Sequence, residues 1–221
     1  MRPLLRPISL TPTAGIARRA PVGMVLSLLV LLVLLASCRS SLPKDYDVRE
    51  GDILFQSLPH SPLVDTIEGV SRSPYSHCGI VARSEGQWLV IEAIGPVKET
   101  PIVKWIDRGR GEWFVAYRMN ASLSAKIPEI LAEARRYLGR PYDIHYSFDE
   151  ERIYCSELIF KAVKAATGCR LGKTELLGEL NWRPYEAFIR SIEGRIPLDR
   201  EMITPESLSE APELTKVYET R

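Results

Sequence analysis

Alternation of side-chain character marks "SHCGIVA", residues 76–82, as a strand. Successive side chains on a strand point to opposite faces, so His77, Gly79 and Val81 share one face while Cys78, Ile80 and Ala82 share the other. In "QWLVIEAI", residues 87–94, the same rule sets Trp88, Val90 and Glu92 against Leu89, Ile91 and Ala93. The intervening "RSEG" predicts a hairpin turning at Glu85-Gly86. Further strands are predicted in "VREGDILFQS", entered through Glu50-Gly51, and in "EWFVAYRM". Helical spacing appears in "SPLVDTIEGVS", with Ser61 as N-cap and Pro62 in the first turn. It returns in "SAKIPEILAEARRYLG", ending at Gly139, and in "YCSELIFKAVKAATG", which aligns Leu158, Ile159, Ala162, Val163 and Ala166 before Gly168 stops it. Near the end, "RPYEAFIRSI" reads as a helix and "TPESLSEAPELTKVYE" as a short helix with an extended end. Strands in front and helices behind predict an α+β domain, a small antiparallel sheet with helices on one side.

The first 37 residues have a different pattern. Four arginines (Arg2, Arg6, Arg18, Arg19) and no acid precede the apolar run "MVLSLLVLLVLLAS". A basic start and an apolar run short for a membrane span predict a secretory signal. The run ends in "LASC", which resembles the lipobox of bacterial lipoproteins and makes Cys38 the lipidated first residue of the mature chain. Residues 38–47 then read as a lipidated tether and 48–221 as the domain. Arg39 after the cysteine resembles lipoproteins sorted to the outer membrane, so the expected address is the cell envelope, at the periplasmic face of that membrane.

Removing this segment changes the charge balance. The whole chain, formally +1, loses four arginines and becomes mildly acidic, 25 basic against 28 acidic residues. Its basic residues are scattered and not interleaved with aromatics, which argues against nucleic acid as a partner. Cysteines and histidines show no CxxC or HExxH spacing, so neither a metal site nor a cofactor is expected.

With Cys38 acylated, Cys78, Cys155 and Cys169 remain, an odd number in an oxidising compartment. Cys155 opens an apolar helix, where unpaired backbone N–H groups and the helix dipole favour a thiolate. His77 finds a partner across the hairpin. One register pairs residues summing to 171 and puts His77 diagonal to Glu92; a tighter one puts them directly opposite. Both keep imidazole and carboxylate on one face, whereas a three-residue loop without a bulge would split them. A Cys155–His77–Glu92 set predicts nucleophilic catalysis: the thiol attacks a carbonyl, His77 manages the proton and Glu92 fixes the tautomer. Backbone N–H groups at Cys155 and Ser156 are the expected oxyanion donors. Cys78 reads as a small core residue facing away from this site, with a Cys78–Cys169 disulfide as one way of leaving Cys155 free. His145 and His60 read as loop histidines without a catalytic task.

"YLGRPYDIHYSFDEERIYCSELIFKAVKAATG" resembles the nucleophile segment of NlpC/p60 cysteine peptidases, and "SHCGIVARSEGQWLVIEA" their histidine hairpin. The histidine here precedes the cysteine, as in the circularly permuted branch, and the chain resembles the YiiX/YebB-like group over most of 46–218. The likeness implies a permuted papain-like fold with Cys155, His77 and Glu92 in the catalytic roles. It also implies that Tyr142 of "RPYD" lines the site near the oxyanion. "YCSE" stands where the family usually has "DCSG", and the Gly-Gly pair after the PY element is absent. The expected function is amide hydrolysis in the envelope, on a cell-wall peptide or small amide. A lipid amidase or acyltransferase, or a binding lipoprotein on the same fold, is the alternative.

Overall fold

A computed structural model describes residues 42–220. The signal segment and lipidated Cys38 expected from the sequence lie outside the described residues. The chain folds as β1 (Ile53–Gln56), α1 (Pro62–Ser71), β2 (His77–Ser84), β3 (Gln87–Ala93), β4 (Val97–Pro101) and α2 (Ile102–Asp107). There follow β5 (Phe114–Met119), α3 (Ala121–Ser124), α4 (Ile127–Arg135), α5 (Cys155–Thr167), β6 (Glu175–Leu176), α6 (Glu186–Glu193), β7 (Glu201–Met202), α7 (Pro205–Ser209) and β8 (Leu214–Glu219). Six strands form one antiparallel sheet in the order β4-β3-β2-β1-β5-β8.

Local chemistry explains several of these boundaries. Ser61 caps α1 by accepting from the Val64 N–H at 3.2 Å, and Pro62 occupies the first turn. Glu85 and Gly86 both take positive φ, as the tightest hairpin turns require. The β2–β3 register is the one summing to 171, pairing Ile80 with Ile91 and Ser84 with Gln87. At the end of α5, Gly168 sits at φ 77° and its N–H closes on the Lys164 carbonyl, a left-handed cap that a side chain would strain.

The expected α+β class is observed, with departures in its layout. β4 and α2 occupy 97–107, a stretch with neither clean alternation nor a full helical repeat. The helix expected from Ser124 to Gly139 is shorter, Ile127–Arg135 (α4), with Pro128 in its first turn, and α3 ends where it was expected to begin.

The sheet is covered on both faces. Phe55, Cys78, Ile80, Ile91 and Val115 pack against α4 and α5, where Leu158, Ile159 and Val163 are fully buried. Each of these large side chains contributes on the order of 1.5–3 kcal/mol of burial. Behind the sheet, Leu54, Val81, Val90 and Phe114 pack with Trp105 and Ile106 of α2 and with Tyr46. The helices therefore do not all lie on one side. Tyr46, expected in the tether, is buried there, donating to Asp52 at 2.9 Å and stacking on Tyr218.

Candidate active site

The start of α5 places Cys155. Tyr154 is extended at φ −106° and ψ 171°, and its N–H donates to the Glu157 carboxylate at 3.3 Å, closing the first turn. Cys155 is 2 % exposed, on the stripe shared with Leu158, Ile159 and Ala162, so its sulfur points inward toward the sheet. The backbone N–H groups of Cys155 and Ser156 lie in the first turn, where a helix offers them no internal acceptor. Ser156 is fully buried, and its hydroxyl is spent on the Ile203 carbonyl at 2.7 Å.

β2 and β3 bring His77 and Glu92 together. The His77 Nε2–H donates to Glu92 Oε2 at 2.6 Å, which leaves Nδ1 for another partner. Glu92 is fully buried and also accepts from the Thr100 hydroxyl at 2.6 Å and from Arg108 Nη2. Gly79 lets β3 pack closely on β2 beside this pair: a Cβ there would lie 2.4 Å from Val90 Cγ1. The Trp105 ring lies 5.9 Å from the imidazole, behind it.

His77 and Cys78 lie beside the Cys155 thiol, and both act on its ionisation. Cys78 contributes most to holding Cys155 well below the usual thiol range; burial opposes it, and His77 adds to it. Burial alone would push His77 down, yet Cys155 and Glu92 outweigh this and raise the imidazole to about 9. Burial likewise pushes Glu92 up, and His77, Thr100 and Arg108 together bring it down to about 2. The arrangement favours a thiolate–imidazolium pair with an ionised carboxylate behind it.

Cys78 is where the strand logic needs correction. It does pack among aliphatic side chains, as alternation predicts, but that is the face on which α5 lies. His77, on the opposite face, still reaches the sulfur because it is the first residue of β2 and the N-terminus of α5 ends beside it. The adjacent His77 and Cys78 thus share Cys155 from two sides. No Cys78–Cys169 disulfide forms; Cys78, Cys155 and Cys169 are all free thiols. Burial and the neighbouring Glu213 carboxylate both raise the Cys169 thiol.

Tyr142 lies near the thiol, its phenol sensing the Cys155 and Cys78 charges and bonding Tyr146 at 2.9 Å. Tyr146 in turn packs on Tyr154, ring centres 4.9 Å apart. His145 is held in its loop by Glu193 at 3.1 Å, and exposed His60 pairs with Asp65 at 2.7 Å. Sequence reasoning passed over Thr100 and Arg108. A buried carboxylate has more lone pairs than one imidazole can fill, so further donors were implied, but "DRGRGEW" offers no spacing that singles out Arg108.

A family pattern described as permuted papain-like amidase enzymes, YaeF/YiiX, C92 family, matches residues 47–218. The uncharacterized protein YiiX of Escherichia coli K12 is 36% identical over 171 residues, covering 76% of this chain and 84% of YiiX. A crystal structure described as metalloprotein yiiX from Escherichia coli O157:H7 is similar with a TM-score of 0.75 at 34% identity, covering 79% of this chain and 99% of that one. Among the described residues of this chain, no three His, Cys, Asp or Glu side chains are grouped to hold a metal ion. The reversed order of histidine and cysteine, the antiparallel sheet packed on α5 and the extent of these matches agree: the chain belongs to the permuted papain-like amidase family of YaeF and YiiX.

Proposed function

We propose that this amidase works through a cysteine thiolate, with Cys155 as nucleophile, His77 as proton carrier and Glu92 as the group that fixes the imidazole. The observation that supports the reading is the buried chain of contacts from Arg108 and Thr100 through Glu92 and His77 to Cys155. The thiolate attacks the amide carbonyl carbon, and the first-turn N–H groups of Cys155 and Ser156 stabilise the resulting oxyanion. His77 gives its Nδ1 proton to the departing amine, leaving a thioester on Cys155. Water, deprotonated by His77, then attacks the thioester, releasing the carboxylic acid and restoring the thiol.

The envelope address belongs to the same proposal. Lipidation at Cys38 after cleavage of residues 1–37 would hold the domain at a membrane, with cell-wall peptides or small amides within reach. Intact-mass measurement on detergent-extracted protein tests this, an unmodified residue 1 being the contrary result. Lipid amide hydrolysis is the second reading, supported by the apolar cleft beside Tyr146. Hydrolysis of aminoacyl and fatty-acyl aminocoumarin amides, compared between the native protein and Cys155→Ala, tests the chemistry. Equal turnover by both would dismiss the thiol mechanism.

A further inference from the structure

Cys78 and Cys155 are both free thiols, and they meet where α5 packs on β2. Cys78 is fully buried on the face of β2 that α5 covers, in the same core as Cys155. Its side chain and its backbone N–H both act on the Cys155 sulfur. Cys169 follows the Gly168 cap at the other end of α5, roughly 20 Å away by the rise of the helix. Among the described residues, Cys78 is therefore the thiol within reach of Cys155.

Amide hydrolysis gives Cys78 no bond to make or break. Its neighbours on that face of β2, Ile80 and Ala82, are aliphatic and buried, and an aliphatic side chain would fill the position equally. What a cysteine adds there is a second sulfur beside the nucleophile.

The two thiols differ in state, and this sets the order of their oxidation. Cys155 is held low by Cys78 and His77 against burial, whereas burial pushes the Cys78 thiol up and keeps it protonated. An oxidant therefore meets a thiolate at Cys155 first. With hydrogen peroxide, the Cys155 thiolate attacks one oxygen: an S–O bond forms, the O–O bond breaks, and hydroxide leaves and takes a proton from solvent. The Cys78 sulfur then attacks the Cys155 sulfur, forming an S–S bond as the S–O bond breaks. The departing hydroxide takes the Cys78 proton. Each sulfur has lost one electron, and the peroxide has become two waters.

We propose that Cys78 and Cys155 form an oxidative modification site, at which peroxide joins the two sulfurs in a disulfide that thiol reductants reopen. The proposal rests on the reading of Cys155 as the catalytic thiolate. The disulfide leaves no thiolate to attack a carbonyl, so hydrolysis stops until the bond is reduced. Cys78 also holds oxidation at a reversible level. A sulfenic acid without a partner thiol goes on to sulfinic acid, which thiol reductants do not reverse.

The test exposes wild type, Cys78→Ala and Cys78→Val to hydrogen peroxide at neutral pH, each first checked for a native melting transition. Unreduced digests are mapped by peptide mass, and iodoacetamide labelling of Cys155 is compared before and after dithiothreitol. Wild type should yield peptides joined through Cys78 and Cys155, with about nine-tenths of the Cys155 labelling recovered by reductant. Both variants should accumulate sulfinic acid on Cys155, with recovery at least about threefold lower. Wild-type Cys155 left unchanged by peroxide, a bridge to another cysteine, sulfinic acid without the joined peptides, or equal recovery in wild type and variants would overturn the pair. Each of these would leave the amidase chemistry standing. If Cys155 of untreated protein takes iodoacetamide no faster than Cys169, the thiolate reading itself fails and the modification site falls with it.

Discussion

His77 presents Nε2 to Glu92 at 2.6 Å and so turns its other nitrogen toward Cys155. This relation fixes the imidazole's tautomer before any substrate arrives. A carboxylate on Nε2 also favours the imidazolium that a thiolate partner needs. Because Glu92 is itself held by Thr100 and Arg108, the orientation is built from β3, β4 and the loop after α2, not from the hairpin alone.

Substitution at the carboxylate separates positioning from stability. Glu92→Gln keeps the shape and removes the charge, leaving Arg108 without its counter-ion. Amide turnover should fall at least tenfold in kcat, with little change in KM, and the alkaline limb of the pH profile should move to lower pH as His77 loses its support. Glu92→Ala should also cost about 3 kcal/mol in denaturant unfolding, since it strips a buried ion pair of one member. A kcat unchanged in Glu92→Gln would remove the residue from the mechanism.

Activity should follow a bell-shaped pH curve. The acid limb marks protonation of Cys155, whose thiol is held low by Cys78 and His77 against burial. The alkaline limb lies near 9, where His77 gives up its proton. In kcat/KM profiles, Cys78→Ala should move the acid limb upward and leave the alkaline limb in place. An acid limb unmoved by that substitution would show that Cys78 has no influence on the thiolate.

Stability should respond to pH in a definite sense. The raised His77 contributes stability below 6.5 that is lost as pH rises through about 9; the depressed Cys155 contributes stability above its unfolded value that is lost on acidification. Between about 6.5 and 9 folded and unfolded chains hold the same number of protons on this pair, so its contribution is flat. Below 6.5 the unfolded chain binds one more, and stability falls. Glu92, lowered to about 2, adds a loss at more acid pH, while Glu157, raised to about 7 by burial, acts in the opposite sense. Denaturant unfolding of wild type and Cys155→Ala should therefore converge as pH drops from 6.5 to 5. A difference that grows on acidification would contradict the charged pair.

Gly79 admits a packing test. Its missing Cβ leaves room for Val90 and the Ile91 carbonyl, so Gly79→Ala should destabilise by about 1–3 kcal/mol. Activity should fall as well, because β2 carries His77 past the same contact. Wild-type values for both would mean that the close approach is dispensable.

Much of this site was legible from strand alternation and one hairpin turn. Alternation placed His77 and Glu92 on one face, and Glu85-Gly86 fixed the register that makes them neighbours. The helix stripe of Cys155, Leu158, Ile159 and Ala162 was equally plain. The face on which α5 would pack was not legible, because both faces of β2 are apolar and both are buried. That ambiguity hid the role of Cys78. Arg108 and Thr100 were invisible for another reason: they come from β4 and the end of α2, whose sequence carries no clean period.

The most direct test of the whole account is the pH dependence of Cys155 alkylation by iodoacetamide, followed by peptide mass in wild type and His77→Ala. An activated thiolate predicts rapid labelling of wild-type Cys155 already near pH 6, ahead of Cys78 and Cys169, with His77→Ala shifting the curve toward ordinary thiols. Labelling of wild-type Cys155 that begins only above pH 8 and is unchanged in His77→Ala would contradict it.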